Sequence, residues 1–117
     1  VILHRVRMAD ALPIALERSH IIYALCPGIL EKHDFSRESL YQVLRKEYHL
    51  RLTHAHQSIE AQTAGEDEQS ALEAEPCTPI LRIARVTYND SEQPIEYVRA
   101  SYRGDRYKFY TVLRQLD

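Results

Sequence analysis

A chain of 117 residues with a formal net charge of −2 supports one domain around one modest core. It lacks the basic field of a protein that binds nucleic acid over its whole surface. The charged fraction of 27% is ordinary for a globular chain, and no apolar run approaches the ~18–20 residues of a membrane span. Cys26 and Cys77 stand apart with no C-x-x-C spacing, which reads as two reduced thiols in a cytoplasmic protein. The chain starts strand-like at Val1-Ile2-Leu3 without an initiator Met, so it reads as a fragment or a processed product.

In chain order, residues 1–8 alternate as a first strand, with Leu3, Arg5 and Arg7 on one side and Ile2, His4 and Val6 on the other. Asp10-Ala11-Leu12-Pro13 supplies turn chemistry, and 14–23 read as a second strand. A hairpin centred near Leu12 sets Arg7 opposite Glu17 and Arg5 opposite Ser19. After the break at Cys26-Pro27-Gly28, Ser36 reads as an N-cap. Leu40, Val43, Leu44 and Tyr48 then form the apolar stripe of a helix.

Residues 52–63 alternate again, 66–74 form a short acidic helix, and 80–89 with 95–103 form a hairpin around Asn89-Asp90-Ser91-Glu92-Gln93. A last strand is expected over 108–116. Strands dominate and hairpins connect them, so the fold class is α+β, a mainly antiparallel sheet flanked by helices.

Four constellations have chemical potential. Arg5 and Arg7 project from one strand face about 7 Å apart, a spacing that suits a phosphate or carboxylate gripped by two guanidinium forks. Glu17 faces them. Spacing alone favours the plainer alternative, a solvated face with cross-strand ion pairs of small worth. Ser39 and Tyr41 lie at the start of the amphipathic helix, where free N–H groups attract anions, although from spacing alone a simple helix-start Ser and a surface Tyr is the favoured reading. Glu96 and Tyr102 flank Val98 and Ala100 on one strand face, either a pocket floor or a core tyrosine with an exposed acid. His54-x-His56 has the spacing of some metal sites, with Glu60 the sole further candidate on its face, too few ligands to expect a metal. No nucleophile–base pair and no phosphate loop stand out, and no cofactor is called for.

Six segments in order carry a resemblance: Arg5-x-Arg7, Leu12-Pro13-Ile14 with Glu17 after it, Ser39-Leu40-Tyr41, Ile59-Glu60-Ala61, Pro94-Ile95-Glu96, and Tyr102-Arg103-Gly104-Asp105-Arg106-Tyr107-Lys108-Phe109. Together they resemble the UTRA effector-binding domain of GntR-type bacterial transcription regulators, of the HutC-like subfamily, over essentially all of residues 1–117. The resemblance implies a chorismate-lyase-like fold and a homodimer formed through the sheet domain. It also implies a small-molecule effector that controls operator DNA binding by an N-terminal winged helix-turn-helix.

It further implies that Arg5 and Arg7 hold a phosphate, with Glu17, Ser39, Tyr41, Glu96 and Tyr102 around the ligand. The effector is then an anionic metabolite, a sugar phosphate first, and the domain is a sensor without catalysis. The alternative is a chorismate-lyase-like enzyme acting on a carboxylated small molecule. Relative to the family, this chain starts about one strand late and lacks the winged helix. The Arg103–Phe109 stretch reads as structural signature more than ligand contact.

Overall fold

The computed structural model describes residues 1–114. Its centre is a five-stranded antiparallel sheet of order β1-β2-β5-β4-β3, with β1 (Ile2–Ala9), β2 (Leu12–Ile21), β3 (His54–Thr63), β4 (Pro79–Tyr88) and β5 (Pro94–Arg103). Short helices α1 (Ile29–Lys32) and α2 (Leu40–Lys46) lie in the long connection from β2 to β3, and α3 (Glu66–Leu72) connects β3 to β4. The α+β reading holds.

The first hairpin turns more tightly than the sequence suggested. Asp10 and Ala11 both have positive φ, 51° and 63°, as a two-residue type I′ turn requires. Arg5 therefore pairs with Glu17 and Leu3 with Ser19, while a bulge lies between Arg7 and Met8. The expected pairing was two residues out of register. Because side chains alternate with period two, an even slip leaves every side chain on its predicted face.

One face of the sheet, the front, carries Arg5 and Arg7 from β1, Glu17 and Ser19 from β2, and Glu96, Val98, Ala100 and Tyr102 from β5. Ile83, Arg85 and Thr87 from β4 complete it. The β2–β3 connection crosses one end of this face. Ile21, Cys26, Ile29, Phe35, Leu40, Val43 and Leu44 pack there into the main apolar core. On the back face, Leu72 of α3 packs with Ala64 and Ile80 in a smaller core. Each face thus has only a partial second layer, and the front remains open between the crossing segment and the hairpin tip.

Two expected elements differ. Ser36 does not cap a helix: its N–H and hydroxyl both donate to Asp34 Oδ1, at 3.0 and 2.6 Å, closing a side-chain turn. The cap of α2 is Ser39, whose Oγ accepts the Gln42 N–H at 3.4 Å. The last strand is also absent among the described residues, since 107–114 run without sheet pairing and Leu116 lies outside them. Both edges of β5 are already occupied by β2 and β4, so the chain leaves the sheet where β5 ends.

Arg103 and Gly104 explain the polar stretch that follows. The Arg103 guanidinium, almost fully buried, donates from Nε and Nη2 to Asp105 at 3.0 and 2.7 Å, and from Nη1 to the carbonyls of Leu72 and Glu73 at the end of α3. Gly104 donates its N–H to the Pro79 carbonyl at 2.7 Å, and a Cβ there would stand 3.1 Å from that oxygen. This corner is a structural clamp that ties the end of β5 to the start of β4 and the end of α3.

Candidate functional site

The front face forms a cleft of about 470 Å³, a size suited to a small metabolite. Arg5, Arg7, Glu17, Ser39, Tyr41, Glu96 and Tyr102 all line it, so the fold brings together every residue the sequence suggested for a ligand. Four separate parts of the chain contribute: the first hairpin, the 35–41 segment, β4 and β5.

At one end, the buried Glu17 organises the arginines. Its Oε2 accepts from Arg5 Nη2 at 3.2 Å, and its Oε1 lies 3.6 Å from Arg7 Nε. Tyr102 donates its hydroxyl to Glu17 Oε1 at 3.0 Å. Burial first, then the negative charge of Glu17, push the Tyr102 phenol up to about 12, so it stays a donor at working pH. Arg5 is largely sheltered while the Arg7 side chain is about half exposed, at 53%. One carboxylate thus serves two guanidiniums, leaving an excess of positive charge and unused donors.

At the other end, Tyr41 donates its hydroxyl to Glu96 Oε1 at 2.7 Å, a contact between residues 55 apart in sequence. Glu96 is only 3% exposed, and burial raises its pKa. The Tyr41 and Ser19 hydroxyls and the charges of Arg85 and Arg5 pull the other way. Tyr41 is itself raised by burial first, then by Glu96. Between the two ends the floor is apolar, with Val98, Ala100 and Ile83 packed together.

The wall over the floor is a structured loop. Glu38 accepts the Asp34 N–H at 2.7 Å and meets His33 Nδ1 at 3.0 Å, while His33 Nε2 lies 2.9 Å from Glu47. The imidazole straps the loop to the end of α2, and its pKa is raised, first by the Glu38 hydrogen bond. Seven residues make α2 too short for a strong macrodipole, so the capacity to hold an anion rests on the arginines.

Arg85, Ser19 and the rim residue Arg37 also line the cleft and were not singled out from sequence. Arg85 was hidden because Ile80 and Ile83 have opposite parity on β4, so alternation does not say which face an intervening arginine takes. The hairpin register gives the missing signal: Arg85 pairs with Val98, which shares the face of Glu96 and Tyr102. His54 takes no such part; it stacks on Tyr88 at 5.2 Å and meets Glu92 at 3.2 Å.

A larger concavity, about 620 Å³, lies on the back face beside α3. Its central acid is already matched. Glu68 accepts from Arg82 Nε and Nη2 at 3.0 and 2.8 Å, from the Gly65 N–H at 2.8 Å and from the Ser101 hydroxyl. That carboxylate has no capacity left for a ligand, whereas the front cleft does.

The UTRA domain family model matches residues 1–108. Over 113 residues the chain is 32% identical to the HTH-type transcriptional repressor NagR of Bacillus subtilis, covering 97% of this chain and 46% of that protein. It is 31% identical to the HTH-type transcriptional repressor PhnF of Mycolicibacterium smegmatis, covering 95% and 45%. The chain therefore spans about half the length of these curated relatives. In structure it superposes on the effector domain of PhnF from Mycobacterium smegmatis with a TM-score of 0.89 at 30% identity, covering 97% of this chain and 69% of that one. A GntR-family regulator from Enterococcus faecalis gives 0.83 at 32% identity, covering 96% and 79%. These relatives are transcription regulators, which removes the enzyme alternative. The chain belongs to the UTRA family, the effector-binding domain of GntR-family transcription regulators.

Proposed function

We propose that residues 1–117 act as the effector sensor of a HutC-like regulator in the bacterial cytoplasm. The front cleft takes a small anionic metabolite, a sugar phosphate first among candidates. Supporting this reading is the convergence of Arg5 and Arg7 on one carboxylate, Glu17, at the mouth of the cleft. The pair keeps net positive charge and free donors for a phosphate, and charge-assisted bonds of that kind are the strong ones. Tyr41 and Tyr102 wall the site, Glu96 and Ser39 offer acceptors for hydroxyl groups, and the apolar floor matches the flat face of a sugar ring.

In the full-length homodimer, effector binding shifts the balance between operator-competent and operator-incompetent arrangements of the winged helix-turn-helix domains. It does so only as far as its affinity differs between those states. Calorimetric titration of a panel of sugar phosphates into wild type and Arg7→Ala tests the assignment. Losing one charge-assisted contact weakens binding by about 10–100-fold. Equal binding by both proteins overturns the phosphate reading.

A further inference from the structure

Arg85 is the cation of the cleft that forms no ion pair among the described residues; the buried Glu96 feels its charge without contacting it. Arg5 and Arg7 share Glu17, and Arg37 at the rim pairs with Asp34 at 3.8 Å. Among the described residues no carboxylate lies within ion-pairing distance of Arg85. Its one hydrogen bond runs from Nη1 to the neutral amide of Gln57 at 3.3 Å, and its Nε, like that of Arg5, is buried without a partner. An unmatched buried donor on a charged group is costly, and a 3.3 Å bond to an exposed amide offsets little of that cost.

Two other arginines of this sheet show what satisfies such a group. Arg82 grips Glu68 with Nε and Nη2 at 3.0 and 2.8 Å, and Arg103 grips Asp105 with the same two nitrogens at 3.0 and 2.7 Å. Both present the same edge of the guanidinium, a fork matched to the two oxygens of a carboxylate. In Arg85 that edge is the unused one, because Gln57 engages Nη1.

Arg85 stands on β4, three strand spacings from Arg5 on β1, about 14 Å of sheet. The apolar floor lies between them. The cleft therefore has a cationic pole at each side.

We infer that Arg85 is a second anion-binding residue of the effector cleft, and that the effector carries a carboxylate as well as the group held by Arg5 and Arg7. The guanidinium turns from Gln57 towards the cleft and takes the carboxylate on its Nε/Nη2 edge. The inference rests on the proposed function for the site and for the phosphate at the first pole, but the second pole can be read separately.

The test compares glucose 6-phosphate, 6-phosphogluconate and gluconate on wild type, Arg85→Gln, Arg85→Lys and Arg7→Ala. By calorimetry, wild type should bind 6-phosphogluconate at least about ten-fold more tightly than glucose 6-phosphate. Arg85→Gln should abolish that preference, losing far more on the acid than on the sugar. Arg85→Lys, which keeps the charge but not the fork, should restore only part of it. Absence of the preference in wild type, or the same preference in Arg85→Gln, overturns the inference.

Gluconate, which has no phosphate, decides the second pole even if Arg7 proves irrelevant to phosphate. At millimolar concentration it should raise the melting temperature of wild type and Arg7→Ala but not of Arg85→Gln. No shift in wild type, or an equal shift in Arg85→Gln, overturns the inference. Insensitivity of glucose 6-phosphate binding to Arg7→Ala would instead overturn only the first pole. Unliganded melting of Arg85→Gln at or above the wild-type temperature checks that the variant is folded.

Discussion

The two faces of the sheet bury carboxylates in opposite ways. Glu68, on the back, is surrounded by donors, and its hydrogen bond to Arg82, with help from Ser101 and Gly65, draws its pKa from 4.5 down to about 2. Glu96, on the front, is more deeply enclosed yet poorly compensated, so burial drives its pKa up. The back face has used its charge to hold α3 on the sheet. The front face keeps charge that its own side chains do not match, the condition under which a ligand contributes most by binding.

The comparison breaks most visibly at Glu68. Replacing it with Ala strands Arg82 and two further donors and should cost about 3 kcal/mol, lowering the melting temperature by roughly 10 °C. A loss below about 1 kcal/mol would show that the back-face network is not a structural tie. The next effect separates two arginines three residues apart on β4. Arg82→Met should cost about 2 kcal/mol in denaturant unfolding, whereas Arg85→Met should lie within about 0.5 kcal/mol of wild type or be stabilising. Equal losses would mean Arg85 is as structural as Arg82.

The smallest effect is pH-dependent. Because the folded-state pKa of Glu96 is raised, its favourable neutral form is fully present below the unfolded carboxylate range, and stability is lost as pH rises through the folded value. Glu96→Gln should therefore raise the melting temperature by a few degrees at pH 8 and hardly change it at pH 4. Glu68 has the opposite sign: its contribution is full above the unfolded value of 4.5 and is lost as pH falls towards about 2. A Glu96→Gln profile parallel to wild type across this range would remove the contrast.

Much of this was legible in the sequence because strands write faces in a period of two. The pairing of β1 with β2 was displaced by two residues, yet Arg5, Arg7 and Glu17 still met, since an even displacement preserves the face. Ser39 and Tyr41 were placed on the right helix, although the cap itself was assigned to Ser36, whose hydroxyl instead closes a local turn with Asp34. Such competition between capping and turn formation is decided by tertiary placement.

Arg85 was illegible for a different reason. A strand with apolar residues of both parities gives no hint of its inward face until its partner's register is known. The final strand, expected over 108–116, failed because alternation does not say whether a segment reaches a sheet edge, and β5, from which the chain departs, already has a neighbour on each side.

The strand order also sets when the cleft can exist. β2 and β5 are neighbours in the sheet but lie about eighty residues apart in sequence, Ala15 pairing with Tyr102. During synthesis the β1–β2 hairpin emerges before β5 and waits with the β2 edge unpaired, and an isolated hairpin is marginal in water. Closing so long a loop is entropically costly and slow. Tyr102 reaches Glu17, and Glu96 reaches Tyr41, only after that closure. The candidate site is thus among the last features of the domain to assemble. A chain stopped before β5 has the arginine pair but neither floor nor Glu96 and Tyr102, so nascent or truncated copies should be blind to the effector.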